Sequence, residues 1–312
     1  MSGHTSVLYH ECLDALRLKS GGVYIDGTLG GGGHSEGILK SGAQLIAFDK
    51  DGDAIERCKK RLAEYAGSFT LVRSDFKDVK RVLKDMGISQ VDGAMLDLGV
   101  SSFQLDEQER GFSYNKDAPL DMRMDRRSEL NAHKIVNTYS EQQLKRIIYE
   151  YGEEKFAPRI ASGIIAARPI DTTAQLAEIV KNAIPAAARG TGGHPAKRTF
   201  QAIRIEVNAE LEGLSRAVSD FIDVLAPGGR LAVISFHSLE DRAVKRAMQT
   251  AENPCTCPSS FPQCVCGKIP LGRRVNRKPI LPGEQEQNEN PRSRSAKLRV
   301  FEKTSDEAQL EK

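Results

Sequence analysis

Four aspartates, Asp26, Asp49, Asp75 and Asp97, stand at or just past the ends of short apolar runs. One acid at such a place is commonplace; four in register make a site. Between the first two lies Gly27-Thr-Leu-Gly-Gly-Gly-Gly33, followed by His34 and Ser35. Glycines let the backbone approach a ligand closely and adopt positive φ without strain. A carboxylate roughly 20 residues beyond such a turn typically grips the hydroxyls of a bound ribose, and Asp49 stands in that place. The stretch from Asp26 to Asp49 therefore predicts a site for an adenosine-containing cofactor.

Glycine-rich turns serve many ligands, so the neighbouring chemistry must choose among them. A dinucleotide's diphosphate prefers bare amide N–H groups with no anion beside them. Asp26 directly precedes the glycines, which suits a ligand with a cationic group instead. S-adenosylmethionine carries an ammonium and no phosphate, so these residues favour a methyl donor over a nicotinamide dinucleotide. Asp75-Phe76 offers an acceptor for the adenine amino group and an aromatic to cover its ring; the competing reading is a helix N-cap and a core phenylalanine. Asp97-Leu-Gly-Val100 stands where amino-directed methyltransferases usually carry Asp or Asn, two prolines and an aromatic. Asp97 can accept from an amino group there, although the prolines are missing. We expect Asp97, with Ser101 or Ser102 close behind it, to hold the amino group that is methylated.

Further residue sets carry chemistry elsewhere. Arg110-Gly-Phe-Ser-Tyr114, with Arg123, Arg126 and Arg127, interleaves the rings of Phe112 and Tyr114 with guanidinium groups. That composition suits an unstacked base beside phosphates. Internal pairing of these arginines with Asp117, Asp121 and Asp125 is the alternative, and both can hold. Arg189-Gly-Thr-Gly-Gly-His194, with Lys197 and Arg198 behind it, reads as a basic loop before a helix N-terminus, suited either to a phosphate or to solvent. His237 follows another apolar run; it could orient a base or shuttle a proton, but a lone histidine is more often structural. Cys255, Cys257, Cys264 and Cys266 form two Cys-x-Cys pairs. In a reducing compartment such a set reads as a metal site ahead of a disulfide. Zinc would close it as a structural knot with no part in methyl transfer, although the spacing is tighter than the usual Cys-x2-Cys. Cys12 and Cys58 read as packing residues. From Lys268 to Lys303, ten Lys or Arg stand against four Glu, a basic stretch that suits phosphates as well as solvent.

The elements that must position these residues alternate over the first hundred positions. Apolar runs predict strands at 23–26, 45–49, 69–73 and 91–98, with helices at 53–65 and 79–86 between them. That alternation predicts an α/β fold, a parallel sheet with helices on both faces and ligands at the carboxyl ends of its strands. The pattern then changes. Residues 106–128 are polar and rich in Arg and Asp, and predict a long loop. Ser140-Glu-Gln-Gln143 and Thr172-Thr-Ala-Gln175 are capping boxes that open helices. Phe200, Ile203, Val207, Leu211, Leu214, Val218, Phe221 and Leu225 trace one long amphipathic helix, ended by Pro227-Gly-Gly229. Residues 230–236 restore the buried-strand pattern, and 296–302 alternate weakly as a last strand. The expected organisation is an α/β domain over 1–105 and 216–312, interrupted by a helical insert over 106–215 that would recognise RNA.

Composition is that of a soluble globular protein: 312 residues, 39% hydrophobic, 28% charged, net charge +3. A net charge this small does not by itself imply nucleic acid. No run approaches the length of a membrane span, and Met1 to Glu11 lacks the zones of a signal peptide. A cytoplasmic protein with no membrane partner is expected.

Several strings together carry a family likeness. They are His4-Thr-Ser-Val-Leu-Tyr-His-Glu11, Asp26 to Ser35, Leu96 to Ser102, Arg110-Gly-Phe-Ser113, Pro119-Leu-Asp-Met-Arg-Met-Asp125, Arg198-Thr-Phe-Gln-Ala-Ile-Arg-Ile-Glu-Val-Asn208, Pro227-Gly-Gly229 and Ser235-Phe-His-Ser-Leu-Glu-Asp-Arg242. Through them the chain resembles the RsmH (MraW) family of S-adenosylmethionine-dependent methyltransferases, which act on N4 of one cytidine in small-subunit (16S) ribosomal RNA. The resemblance spans nearly the whole chain. It implies a Rossmann-like class I methyltransferase sheet with an inserted helical domain. It implies cofactor contacts at Gly32, Gly33, His34, Asp49, Phe76, Asp97 and Gln104, and a substrate of 16S rRNA within a small ribosomal subunit or its precursor. On the residues alone two other readings stay open: an NAD-dependent dehydrogenase of a small metabolite, and a nonenzymatic RNA-binding assembly factor.

Overall fold

Val23–Asp26 (β1) is an unbroken apolar run because it lies inside a sheet covered on both faces. The computed structural model describes residues 6–189, 193–258, 261, 263 and 265–304. In it β1 is joined by β2 (Gln44–Phe48), β3 (Phe69–Val72), β4 (Val91–Asp97), β5 (Leu225–Ser235), β6 (Gly272–Arg274) and β7 (Lys297–Lys303). They form one sheet in the order β3-β2-β1-β4-β5-β7-β6. Strands β1 to β5 run parallel, while β7 is antiparallel to β5 and β6 antiparallel to β7. This is the expected Rossmann-like α/β sheet, parallel apart from its last two strands. Its order reverses between β1 and β4, the switch point at which open α/β sheets hold ligands.

The chain divides into two compact units, Met1–Gly99 with Gly213–Lys312, and Val100–Glu212. Both seams fall earlier than the expected 106 and 216. The first lies just before a helix, Ser102–Asp106, that belongs to the insert. In the sheet unit, Tyr24, Ile38, Leu45, Ala47, Leu62, Met95, Leu298 and Val300 build a core. Each fully buried Leu, Ile or Phe in such a core contributes about 1.5–3 kcal/mol. The weakly alternating segment near the end of the chain is indeed a strand, β7. It is fixed to β5 by a register pair of buried charges: Arg230 Nε and Nη2 donate to Glu302 Oε2 at 2.8 and 2.6 Å. Arg273 of β6 donates to the other oxygen of Glu302 at 2.8 Å. Strand β6 has no apolar alternation and was not expected.

In the second unit, Ala132–Thr138, Glu141–Glu150, Ala157–Ala166, Thr173–Ala183 and Lys197–Asn208 are helices. They surround Ile135, Leu144, Ile148, Ile160, Ile164, Leu176, Val180 and Ile203. The capping boxes at Ser140 and Thr172 are present. Two expectations fail. The long helix from Phe200 to Leu225 is two helices, Lys197–Asn208 and Leu214–Val224. The break carries left-handed backbone at Ala209 (φ 49°) and Gly213 (φ 69°). Apolar positions keep helical spacing across it, which hid the break. Pro227-Gly-Gly229 lies inside β5 rather than ending that helix. The stretch at 106–128 is largely the long loop expected, but Phe112, Leu120, Met122 and Met124 along it are all buried. Asn208 ties it down: its Nδ2 donates to Met122 O at 2.8 Å and its Oδ1 accepts from Met124 N at 2.7 Å.

Candidate active site

The turn after β1 is built by its own side chains. Asp26 Oδ1 accepts from Thr28 N at 3.0 Å, and Oδ2 accepts from Ser35 Oγ at 2.7 Å. The carboxyl is buried, and burial raises its pKa against the pull of those hydrogen bonds. Gly27 is required by close approach: a Cβ there would stand 2.3 Å from Leu96 Cδ2 of β4. Gly32, at φ 77°, is the N-cap of the helix Gly33–Lys40. Cys58 packs beneath the turn, its Sγ 3.5 Å from Gly30 O, and Cys12 is likewise buried, so both are packing residues. Asp26 therefore shapes the turn, with one hydrogen bond to each of its oxygens.

At the end of β4 the situation is reversed. Asp97 N donates to Thr28 Oγ1 at 2.6 Å, which locks the turn to the strand end. Asp97 Oδ1 is buried and has no hydrogen-bond partner among the described residues. Asp97 Oδ2 lies 4.0 Å from Nδ1 of His34. The opposite nitrogen of His34 stands 3.2 Å from Val7 O, an acceptor only, so Nε2 carries the ring proton. Burial lowers the His34 pKa to about 4, so the ring is neutral and turns a lone pair toward Asp97. Burial pushes the Asp97 pKa up to about 8, helped by the charges of Asp26 and Glu240. One oxygen of this carboxyl, Oδ1, is thus shut off from water without a donor, while the side chain as a whole is 27% exposed.

Asp49, just past β2, links back to the same turn. Its Oδ2 accepts from Gly30 N at 2.9 Å and its Oδ1 from Asp51 N at 2.8 Å. Burial raises its pKa to about 6 against those two bonds. Each oxygen has a second lone pair, so the group can still accept from a ribose diol. Asp75 is the N-cap of the turn Phe76–Asp78, accepting from Lys77 N at 3.0 Å, and lies 3.6 Å from Lys50 Nζ. Phe76 is half-buried, its ring 6.4 Å from that of Phe221. The cap-and-core reading of this pair thus holds, and a partly open acid and ring face remain.

These residues fit S-adenosylmethionine. The buried, partnerless oxygen of Asp97 calls for an N–H donor, and an ammonium would restore its ionised state. A diphosphate placed among the acids at 26, 49 and 97 would make each of them harder still to ionise, whereas a cation favours their ionised form. Phe76 offers an apolar face for adenine. His237, also expected near a strand end, is the N-cap of the helix Ser238–Glu252. It accepts from Glu240 N at 3.4 Å through Nδ1, and its Nε2 lies 3.2 Å from Glu240 Oε1. The structure gives it the structural role of a helix cap. Three residues of this unit escaped sequence reasoning: Thr28, Ser35 and Glu240. The signal for Glu240 was a capping box whose N-cap is a histidine, where serine or threonine is the usual marker.

The second unit holds the remaining expected residues. Ser101 and Gln104 form a reciprocal capping box, Ser101 Oγ accepting from Gln104 N at 3.3 Å and Gln104 Oε1 from Ser101 N at 3.0 Å. Ser102 is the first residue of that helix. Arg110 and Phe112 are corrected outright. Arg110 is 2% exposed and donates through Nη2 to Arg123 O and Met124 O, at 2.8 and 3.1 Å. Phe112 belongs to the insert's core. Tyr114 stacks on His194, centroids 4.5 Å apart. Arg123 pairs with Asp121 at 2.7 Å and Arg127 with Asp125 at 2.8 Å, so internal pairing is realised for both. Arg126, Arg127, Lys197 and Arg198 are exposed. Of the glycines before His194, residues 190–192 lie outside the described residues, as does Cys264 of the cysteine set. The other three, Cys255, Cys257 and Cys266, come together.

Comparison with known proteins extends these findings. The sequence pattern described as the MraW methylase family matches residues 1–304. The chain is 58% identical to "Ribosomal RNA small subunit methyltransferase H 2" of Agathobacter rectalis, over 96% of this chain and 98% of that one. It is 54% identical to "Ribosomal RNA small subunit methyltransferase H" of Brevibacillus brevis, over 96% and 98%. A solved putative methyltransferase from Streptococcus mutans in complex with SAH covers 96% of this chain and 99% of its own, at 12% identity and a TM-score of 0.43. That overlap is too loose to add to the argument.

Proposed function

The chain belongs to the MraW methylase family, and on that premise we propose that it methylates N4 of a cytidine in the 16S rRNA of the small ribosomal subunit, with S-adenosylmethionine as donor. The observation that carries the reading is Asp97: a carboxyl at the end of β4, at the sheet's switch point, with one buried oxygen lacking a donor. The bound cofactor supplies an electrophilic methyl group. Asp49 accepts from its ribose, the Phe76 ring covers its adenine, and the turn from Gly27 to Gly33 admits it closely. Gly32, Gly33 and His34 line the approach as the N-terminus of a helix.

The cytosine N4 lone pair is delocalised into the ring, so the amine is a poor nucleophile and placement matters most. N4 must lie in line with the methyl, about 3–3.5 Å from it. A carboxylate has about four lone-pair sites, enough for Asp97 to take both an ammonium N–H and an N4–H. As positive charge moves onto N4, the ionised Asp97 favours that shift and accepts the proton at Oδ1. A stacked target base must first be flipped out. Ser101, Ser102 and Gln104 follow Asp97 closely in the chain and are proposed as further contacts. The exposed Arg126, Arg127, Lys197 and Arg198 of the insert are proposed to meet RNA phosphates. No helix among the described residues is long and apolar enough to cross a membrane. The test is isothermal titration with S-adenosylhomocysteine against NAD, followed by methyl transfer to small-subunit rRNA.

A further inference from the structure

Between the helix Ser238–Glu252 and β6 the chain runs from Asn253 to Leu271 with no helix or strand among its described residues. Its ends are tied together. Leu271 N donates to Ala251 O at 2.8 Å, and Arg274 donates to Glu252 from N at 3.0 Å and from Nε at 2.7 Å. Among its described residues the large apolar side chains are exposed: Phe261 is 50% exposed, Val265 72% and Ile269 53%. A long structureless segment is uncommon in a compact fold, and one without a core needs another staple.

The staple is on the page. The Sγ atoms of Cys255, Cys257 and Cys266 all lie within 4.8 Å of one another, with Cys255 and Cys266 3.9 Å apart. Sulfurs at the corners of a tetrahedron with metal–sulfur bonds of about 2.3 Å stand about 3.8 Å apart. Val265 N lies 3.3 Å from Cys257 Sγ, placing a backbone N–H on a sulfur that would carry negative charge. Soft thiolates select zinc over hard cations such as magnesium and calcium. We propose that Cys255, Cys257 and Cys266 bind one zinc ion that orders the segment between residues 253 and 271. The site is structural: none of its ligands is among the residues assigned to methyl transfer, and the inference stands whether or not that assignment does. The pair Cys-x-Cys with a third cysteine across the loop closes a ring of chain on the metal. The folding of the segment and metal binding become one event.

The experiment is elemental analysis of the full-length protein purified under reducing conditions, with zinc as the probe. One zinc per chain is expected. Cys255→Ser, Cys257→Ser and Cys266→Ser should each lower the retained zinc at least tenfold after dialysis against a weak chelator. Stripping the wild-type protein with a strong chelator should open the 253–271 segment to limited proteolysis, and added zinc should restore protection. That second readout needs no variant to fold. Three results would overturn the proposal: stripped protein that is protected as well as the loaded form, iron with visible charge-transfer absorption in place of zinc, or a Cys255–Cys266 disulfide in metal-free protein.

Discussion

Nδ1 of His34 faces Oδ2 of Asp97 across 4.0 Å, with the ring proton committed to Val7 O on the other side. A histidine beside an aspartate usually signals an ion pair. Here burial holds the ring neutral, its pKa near 4, and leaves the carboxyl to be neutralised by its own proton, its pKa near 8. The acid that the proposed chemistry needs in ionised form is thus destabilised until a cationic ligand arrives, as strain stored at functional sites leads one to expect.

Stability should reveal this strain. The ordinary Asp97 value of 3.8 applies to the unfolded chain, and the folded value is about 8. Between these pH values the folded state binds the extra proton, so its contribution to stability is whole below pH 4 and falls as pH rises toward 8. Asp97→Asn removes the loss. The variant should gain on the order of 2 kcal/mol more at pH 8 than at pH 5 over wild type, in denaturant titrations of ligand-free protein. An equal effect at both pH values contradicts the strained carboxyl.

Ligand choice follows from the same group. S-adenosylhomocysteine keeps the ammonium and should bind, while NAD should not. Binding near pH 7.5 should release a proton as Asp97 ionises beside the ammonium. Calorimetry in two buffers of different ionisation enthalpy measures this, and Asp97→Asn should remove the release. Preference for NAD would restore the dehydrogenase reading.

The insert's arginines divide by burial. Arg110→Ala should cost about 2 kcal/mol of stability, because it strands the buried carbonyls of Arg123 and Met124. The double change Lys197→Ala with Arg198→Ala should weaken rRNA binding and cost less stability than Arg110→Ala, the loss coming from Arg198, which lies 3.7 Å from the buried carboxylate of Glu154. The salt dependence of binding should become shallower by about two units of slope. Filter binding across potassium chloride concentrations separates the two classes; an Arg110 variant that melts normally but binds RNA poorly would reverse the assignment.

Much of the sheet was legible because parallel strands buried on both faces read as apolar runs, and each of the first four ended at or just before an acid. The acids' roles were less legible. Asp26 and Asp97 look alike in sequence, and only the partners Thr28 and Ser35 show that the first holds the turn. The buried side of 106–128 was hidden by its charges, which pair locally, Arg123 with Asp121 and Arg127 with Asp125, while Met122 and Met124 between them turn inward. The broken helix escaped because hydrophobic spacing survives a left-handed residue such as Ala209. The two readings of His237 could not be separated in the sequence, because a histidine can cap a helix as well as move a proton.

The central claim is methyl transfer onto cytidine N4 beside Asp97. Its most direct test incubates purified protein with S-adenosylmethionine and unmodified small-subunit particles, then analyses nuclease-digested rRNA by mass spectrometry. Wild type should yield a methyl group on N4 of cytidine, and Asp97→Ala protein that still binds S-adenosylhomocysteine should yield at least a hundredfold less. Methylation of another atom, or full activity in that variant, contradicts the account.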